Sequence, residues 1–166
     1  MTSGDRSVPV SVIIPTYNSS RVIGATVESV LRQTVPPCEI LIMDDGSTDD
    51  TVAILKSRYP QVTVFQQQNS GVAIARSELC NRARGELVAF LDHDDLWHPR
   101  YLEMQCKCFR QFPNAVVFFT GHVNFYGYGD HEWSELRPER EISTELLSSL
   151  KFLTSLQTMS GNFGSA

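Results

Sequence analysis

The chain has 166 residues, of which 42% are hydrophobic, and this is enough apolar material for one domain with its own buried core. Its 14 basic and 19 acidic residues give a net charge of -5, so it offers no broad cationic surface for a nucleic-acid backbone. Its apolar runs are too short to cross a bilayer. We therefore expect one α/β domain, no nucleic-acid partner and no transmembrane segment in this chain.

The N-terminal segment, residues 1–9, is polar and contains no hydrophobic stretch of the kind that secretion signals carry. We expect this segment to be flexible and the protein to be cytoplasmic, with peripheral membrane association through segments outside this sequence left open. The cysteines lack the paired spacing of a zinc site, so we expect free, buried thiols. They are Cys38, Cys80, Cys106 and Cys108.

Two strand–helix units are predicted in the first 60 residues. Residues 10–14 are rich in β-branched side chains and predict a strand, which we expect Pro15 to end because proline has no amide hydrogen. Residues 40–43 predict the second strand. The helix after each strand has apolar residues at helical spacing on one face. These are Ile23, Val27, Val30 and Leu31 in the first helix, and Val52, Leu55 and Tyr59 in the second.

The same alternation continues through two more units. Residues 62–65 and 87–91 predict strands three and four, and residues 115–119 predict one more strand. A helix is predicted after each of strands three and four. The inward positions are Val72, Ala75, Leu79 and Ala83 in the first of these helices, and Leu102, Phe109 and Phe112 in the second. Beyond these, residues 127–143 predict an exposed loop and residues 145–156 a helix. Such alternation predicts a mostly parallel sheet with helices on both faces.

Polar residues follow three of the predicted strands where each strand ends. They are residues 16–18 (TYN), 44–47 (DDGS) and 92–95 (DHDD). Ligands of open parallel sheets bind at this edge, so five aspartates are expected in one crevice. Carboxylates this close repel one another unless donors or a cation lie among them. Mg²⁺ or Mn²⁺ suits one or two carboxylates together with phosphate oxygens, which points to a diphosphate ligand.

Four segments resemble the motifs of family-2 glycosyltransferases of the GT-A fold, and they occur in the family's order. The segments are residues 12–18 (VIIPTYN), 44–49 (DDGSTD), 69–71 (NSG) with 75–76 (AR), and 90–95 (FLDHDD). Four ordered motifs at strand ends are far more specific than any one of them. The resemblance is strong over residues 10–113 and loose after residue 114. It implies a Rossmann-like nucleotide-binding half over residues 10–120 and the start of an acceptor-side half over 121–166.

The resemblance also implies an activity: metal-dependent, inverting transfer of a sugar from a nucleoside diphosphate sugar, with a UDP-sugar favoured, to a hydroxyl acceptor. It places the nucleotide base against Asp45, the ribose against Asp92, and Mn²⁺ or Mg²⁺ on Asp94 with Asp92 as a second ligand. Arg76 is expected near the diphosphate or bracing the aspartates. The base pocket is expected to be lined by Pro15, Tyr17 and Asn18. The resemblance places the catalytic base downstream of Ala166, so no catalytic residue is assigned within this chain.

Ordinary structural roles compete with these assignments. Residues 44–47 are also a common turn sequence, and we interpret Asp49 and Asp50 as capping residues of the next helix. His93 has no second histidine nearby and is interpreted as a spacer rather than a zinc ligand. Trp97 is expected to pack under the loop more than to stack on substrate.

Three other functions compete with sugar transfer. A receiver-like domain also gathers aspartates around Mg²⁺. It fits poorly, because the paired acids of this chain follow strand two and the lysine that such a domain has after its last strand is missing. A sugar nucleotidyltransferase would have a glycine-rich loop after strand one, where this chain has Pro15 and Thr16. The remaining alternative is a domain that binds nucleotide and is catalytically inactive.

Overall fold

A computed structural model describes residues 8–118 and residue 120. The chain divides into two compact units between Met104 and Gln105. Among the described residues, the first contains all the strands and the first three helices. The elements are β1 (Val10–Thr16), α1 (Ile23–Leu31), β2 (Glu39–Asp44), α2 (Thr51–Arg58), β3 (Thr63–Gln66), α3 (Val72–Arg82), β4 (Leu87–Phe90) and α4 (Tyr101–Gln111).

The sheet has the order β3-β2-β1-β4, and all its pairings are parallel. β1 lies inside the sheet, where Ile13 pairs with Leu41 of β2 on one side and with Phe90 of β4 on the other. The predicted parallel sheet is confirmed.

The strand order places α3 on the face opposite α1 and α2. The chain steps from β1 to β2 to β3 in one direction and then returns to β4 on the other side of β1. Because parallel crossovers are right-handed, this reversal puts the third helix on the second face. Ile13, Leu41 and Met43 accordingly form a buried cluster with Ala75 and Leu79 of α3. The reversal also makes the space beyond the ends of β1 and β4 a switch point, where ligands of such sheets bind.

Pro15 does not end β1, and that prediction is wrong. The strand continues to Thr16, and Pro15 pairs in register with Met43. The carbonyls of Val10 and Thr16 bond to the β2 side, whereas that of Ile13 accepts from Leu91 on the β4 side. By alternation the nitrogen of Pro15 faces the β4 side, where pairing has already stopped at Ile13. No ladder bond is lost there, so proline is tolerated.

Eight of the fourteen predicted inward positions are buried, four are partly buried and two are exposed. Leu31 is 40% exposed and Val72 is 51% exposed, because they occupy the last turn of α1 and the first residue of α3, beyond the reach of the sheet. The expectation of buried thiols is wrong for Cys38 and Cys80, which are exposed, although all four cysteines are free. Cys38 precedes β2 in a turn, where the sheet does not cover it.

Residues 115–118 of the described chain form no strand, contrary to prediction. A run of apolar residues supplies propensity, but a strand also needs a hydrogen-bonded neighbour. The predicted loop at 127–143 and helix at 145–156 lie outside the described residues, as does most of the N-terminal segment. In the described part of the chain, no helix combines the length and hydrophobicity needed to span a membrane.

Glu39 links β1, β2 and the segment before β4 at the end of the sheet where the strands begin, opposite their carboxyl ends. Its carboxylate accepts hydrogen bonds from the Ser11 hydroxyl at 2.6 Å and from the Arg84 amide at 2.6 Å, and it pairs with the Arg84 guanidinium. The Ser11 hydroxyl in turn accepts from the Gly85 amide at 2.8 Å. Burial raises the pKa of Glu39, but these hydrogen bonds and the Arg84 charge outweigh it, so the pKa lies below its usual value.

Candidate functional site

Asp45 is a buried carboxylate at the end of β2, and three donors surround it. Its Oδ1 accepts from the Gln67 side-chain amide at 2.7 Å and the Ser70 backbone amide at 2.8 Å. Its Oδ2 accepts from the Gly71 amide at 2.8 Å. Burial raises the pKa of Asp45, but the hydrogen bonds from Ser70, Gln67 and Gly71 outweigh it and lower the pKa. Asp45 therefore stays ionised and orders the loop that precedes α3.

Two glycines allow this loop to approach Asp45. Gly71 has φ 91° and ψ 154°, a conformation that is essentially restricted to glycine. Gly46 has φ 81°, and a side chain on it would lie 3.0 Å from the amide nitrogen of Asn69. The glycines of both the DDGS and the NSG motifs are thus required by the backbone.

Asn18 joins the loop after β1 to the loop after β2. Its side-chain oxygen accepts from the Thr48 backbone amide at 2.8 Å, and its backbone amide donates to the Ser47 hydroxyl at 2.8 Å. It has a positive φ of 45°, which asparagine tolerates better than most residues. The Asn18 side chain is therefore engaged in holding the two loops together.

Asp49 and Thr51 extend this connection. Asp49 accepts from the Ser20 amide at 3.0 Å, and Thr51 accepts from the Ser19 amide at 2.8 Å. Asp49 also accepts from the Thr51 amide at 3.0 Å, so it caps α2. Burial raises the pKa of Asp49, but hydrogen bonds from Thr51 and Ser20 outweigh it and the pKa lies far below its usual value. The predicted capping role is confirmed for Asp49, whereas Asp50 occupies the N-cap position of α2 but makes no side-chain cap bond.

Asp92 and Asp94 lie just beyond β4. The Asp92 side chain, 47% exposed, pairs with the Arg76 guanidinium of α3 through a short contact to Oδ1. The Asp95 amide donates to the Asp92 carbonyl at 3.1 Å, which closes a turn that leaves Asp94 exposed. Arg76 therefore braces Asp92, one of the two roles expected for it.

Two buried polar atoms in the described residues have no hydrogen-bond partner: Oδ1 of Asp44 and Nε of Arg76. The other carboxylate oxygen of Asp44 accepts from the Ser47 amide at 3.2 Å. Buried polar groups are almost always satisfied in folded proteins. The Arg76 side chain as a whole is 37% exposed beside Asp92, so the accessible part of its guanidinium is suited to an anion.

Within residues 8–118 and residue 120, no group of three or more His, Cys, Asp or Glu side chains is arranged to hold a metal ion. Mg²⁺ and Mn²⁺ sites that serve a diphosphate need only one or two protein carboxylates, because phosphate oxygens and water complete the shell. The oxygen donors of Asp92 and Asp94 at an exposed turn fit that requirement.

The remaining predicted site residues differ in accessibility. Tyr17 is 44% exposed at the end of β1, whereas Pro15 is buried within the strand. Trp97 is buried and stacks on Tyr101 with ring centroids 4.3 Å apart, which confirms the packing interpretation. His93 is half-buried within the turn.

A set of contacts from α1 and the residues just after it to the segment after β4 was not predicted from the sequence. Thr26, Ser29 and Gln33 are buried polar residues that hydrogen-bond the backbone of residues 93–102. Their i, i+3, i+7 spacing beside the apolar face was the available signal.

Comparison with known proteins agrees with this architecture. The profile of Glycosyl transferase family 2 matches residues 11–164 of the chain. The chain belongs to this family. It is 43% identical over 118 residues to a Bacillus subtilis (strain 168) protein named "Putative teichuronic acid biosynthesis glycosyltransferase TuaG", and the match covers 68% of this chain and 46% of that protein.

Solved structures share this fold. S. aureus TarS 1-349 in complex with UDP superposes with a TM-score of 0.64 and 30% identity, covering 74% of this chain and 38% of that one. The mannosyltransferase PcManGT from Pyrobaculum calidifontis, in complex with GDP-Man and Mn²⁺, gives 0.55 and 25%, covering 68% and 34%. The GT-A prediction is confirmed. The match spans less than half the length of each of these three proteins.

Proposed function

We propose that this chain supplies the donor-binding part of an inverting, metal-dependent glycosyltransferase that uses a nucleoside diphosphate sugar. The observation that carries the proposal is the pairing of Arg76 with Asp92 beside the exposed Asp94. The two carboxylates and the guanidinium lie at the switch point of the sheet. A diphosphate bound there would need both a cation and an N–H donor. The UDP complex of TarS, a relative of similar fold, favours a UDP-sugar as donor.

The nucleoside is assigned to the loops at the end of β1 and β2. The exposed Tyr17 ring offers a surface for the base, with Pro15 and Asn18 as its framework. A carboxylate has about four acceptor positions, and Asp45 uses three of them within the chain, so one is left for a base N–H. Asp45 thus both shapes the pocket and contacts the ligand.

The diphosphate is assigned to Asp94, Asp92 and Arg76. Asp94 would be the first carboxylate ligand of Mn²⁺ or Mg²⁺, and Asp92 a second ligand or the acceptor for a ribose hydroxyl. The Mn²⁺ in the PcManGT complex favours such a metal. When bound, the ion neutralises charge that develops on the leaving diphosphate. The Arg76 guanidinium, whose side chain is 37% exposed, would donate to a phosphate oxygen.

In the proposed reaction the acceptor oxygen forms a bond to the anomeric carbon as the bond from that carbon to the diphosphate oxygen breaks. Attack from the opposite face inverts the anomeric centre. The hydroxyl proton passes to a carboxylate base, for which the expected position downstream of Ala166 stays a prediction.

The alternative is a domain that binds nucleotide without transfer. A cytoplasmic location belongs to the same proposal.

Thermal unfolding with UDP, MnCl₂, both or neither tests the donor site, and GDP serves as a second probe. We expect UDP and Mn²⁺ together to raise the Tm by more than the sum of their separate effects, because the ion joins the carboxylates to the diphosphate. Asp94→Ala should keep the fold and lose this synergy. Asp50→Ala, which removes an exposed carboxylate with no cap bond, should retain it.

Equal shifts with and without metal would contradict the metal bridge. Release of UDP from UDP-sugars in the presence of sugar acceptors then distinguishes an active transferase from a domain that only binds nucleotide.

A further inference from the structure

Three polar side chains on and just after α1 are almost completely buried: Thr26 at 0% exposure, Ser29 at 8% and Gln33 at 7%. They lie beside the apolar face formed by Ile23 and Val27. A helix face that only packs against a core would carry apolar residues at these positions. Their polarity therefore indicates buried partners, and the segment after β4 provides them.

Thr26 and Ser29 bind the first part of this segment. The Thr26 hydroxyl donates to the His93 carbonyl at 2.7 Å. The Ser29 hydroxyl accepts from the Trp97 amide at 3.2 Å and donates to the Thr26 carbonyl at 2.8 Å. The bonds to the His93 carbonyl and from the Trp97 amide satisfy two backbone groups of this irregular segment.

Gln33 binds the last part of the segment with both ends of its amide. Its nitrogen donates to the His98 carbonyl at 2.8 Å and to the Ser29 carbonyl at 3.1 Å. Its oxygen accepts from the Leu102 amide at 2.9 Å. Leu102 is in the first turn of α4, where amides have no partner within the helix, so Gln33 also caps that helix.

The residue bonded by Thr26 lies between the two carboxylates of the proposed metal site. β4 ends at Phe90 and α4 begins at Tyr101, so the intervening residues depend on contacts from outside their own segment. The hydrogen bond from Thr26 to the His93 carbonyl therefore restrains the backbone between Asp92 and Asp94. Arg76 restrains only the Asp92 side chain.

We propose that Thr26, Ser29 and Gln33 are positioning residues that hold Asp92 and Asp94 in the geometry required for the metal and diphosphate. This inference rests on the proposed function. Outer-shell partners of metal ligands typically change metal affinity or activity about 10- to 100-fold when removed. Because Thr26 acts through the backbone, we expect an effect at the lower end of this range.

The test compares Thr26→Val, which keeps the volume and removes the hydroxyl, with Thr26→Ser, which keeps the hydroxyl. UDP affinity of the full chain is measured by calorimetry with MnCl₂ and with EDTA, and bound Mn²⁺ by EPR. Thr26→Val should lower UDP affinity about tenfold in MnCl₂ and leave it unchanged in EDTA. Thr26→Ser should restore the wild-type values and the wild-type EPR spectrum of bound Mn²⁺.

Ser11→Ala is the matched control, because it removes a buried hydroxyl at the opposite edge of the sheet. It should lower the Tm and keep the full effect of Mn²⁺. If Thr26→Val does not fold, Ser29→Ala takes its place, with the same expected loss.

If Thr26→Val binds UDP in MnCl₂ as tightly as wild type, the inference is overturned but the proposed function is not. The same holds if Ser11→Ala loses as much UDP affinity in MnCl₂ as Thr26→Val does. Absence of any Mn²⁺ effect in the wild-type chain would instead overturn the proposed metal site, and the inference with it.

Discussion

At the scale of single residues, Asp45 has a structural role and, in the proposed function, a binding role as well. A buried carboxylate is favourable only when hydrogen bonds replace its lost hydration, and here Gln67, Ser70 and Gly71 supply them. The acceptor position that remains is the one that the proposed function assigns to the nucleotide base. If the proposal is correct, a change at this side chain affects both folding and ligand affinity.

Asp45→Ala should weaken UDP binding by about 1 to 3 kcal/mol and lower the free energy of unfolding by a similar amount, because hydrogen bonds to a charged group are lost. Calorimetry and urea unfolding measure the two quantities. Mn²⁺ binding, assigned to Asp94, should barely change. Asp50→Ala should leave both quantities near wild type. Unchanged UDP affinity in Asp45→Ala would mean that residues 44–47 serve only as a turn and cap.

At the scale of elements, the loops at the carboxyl edge of the sheet are joined to one another rather than held by their own strands. The loop after β1 bonds to residues 47–51, and the loop before α3 bonds to Asp45. The segment after β4 bonds to α1 and α3. These connections make the edge one network, in which a change in one loop should affect its neighbour.

Thr51→Val tests this coupling between the β1 and β2 loops. Thr51 is fully buried, and its hydroxyl accepts from the Ser19 amide and donates to Asp49. Its loss should lower the free energy of unfolding by about 1 to 3 kcal/mol, since a buried amide is left unsatisfied. Urea unfolding measures this, and hydrogen exchange should show faster exchange at the Ser19 amide. Thr51→Ser should behave as wild type; equal exchange in Thr51→Val would argue against the coupling.

At the scale of the whole molecule, ionised carboxylates stabilise both edges of the sheet. The pKa values of Glu39 at one edge, and of Asp45 and Asp49 at the other, are lowered in the folded chain. A lowered folded-state pKa contributes stability above the unfolded value, about 4 for these groups, and the contribution is lost as the pH falls through the folded value. Stability should therefore fall steeply in acid.

Glu39→Gln should be less stable than wild type at neutral pH and should lose less stability between about pH 5 and pH 3, because one of the three carboxylates no longer titrates. Urea unfolding at a series of pH values gives both results. Glu78→Gln, which disrupts an exposed i,i+4 pair with Arg82, should follow the wild-type pH dependence. A Glu39→Gln profile parallel to wild type would show that Glu39 is not linked to acid unfolding.

From the sequence by itself, the types of the eight helices and strands described here, the parallel sheet, the family and the motif positions at the strand ends could be predicted, although the strand predicted over residues 115–119 does not form in its described part. These follow from local patterns: β-branched runs, helical spacing, and glycines and aspartates directly after a strand. Only the tertiary structure decided that Pro15 remains within β1, that Val72 is exposed, and that Asp45 is enclosed by donors from residues 67–71.

The same distinction applies to the contacts around Asp92 and Asp94. The DHDD segment was recognised from the sequence, but its attachment to Thr26 was not, because the two are separated by more than 60 residues along the chain. Which donor faces which acceptor depends on strand order and on the face that each helix covers. Those are set by packing of the whole sheet, and no local pattern encodes them.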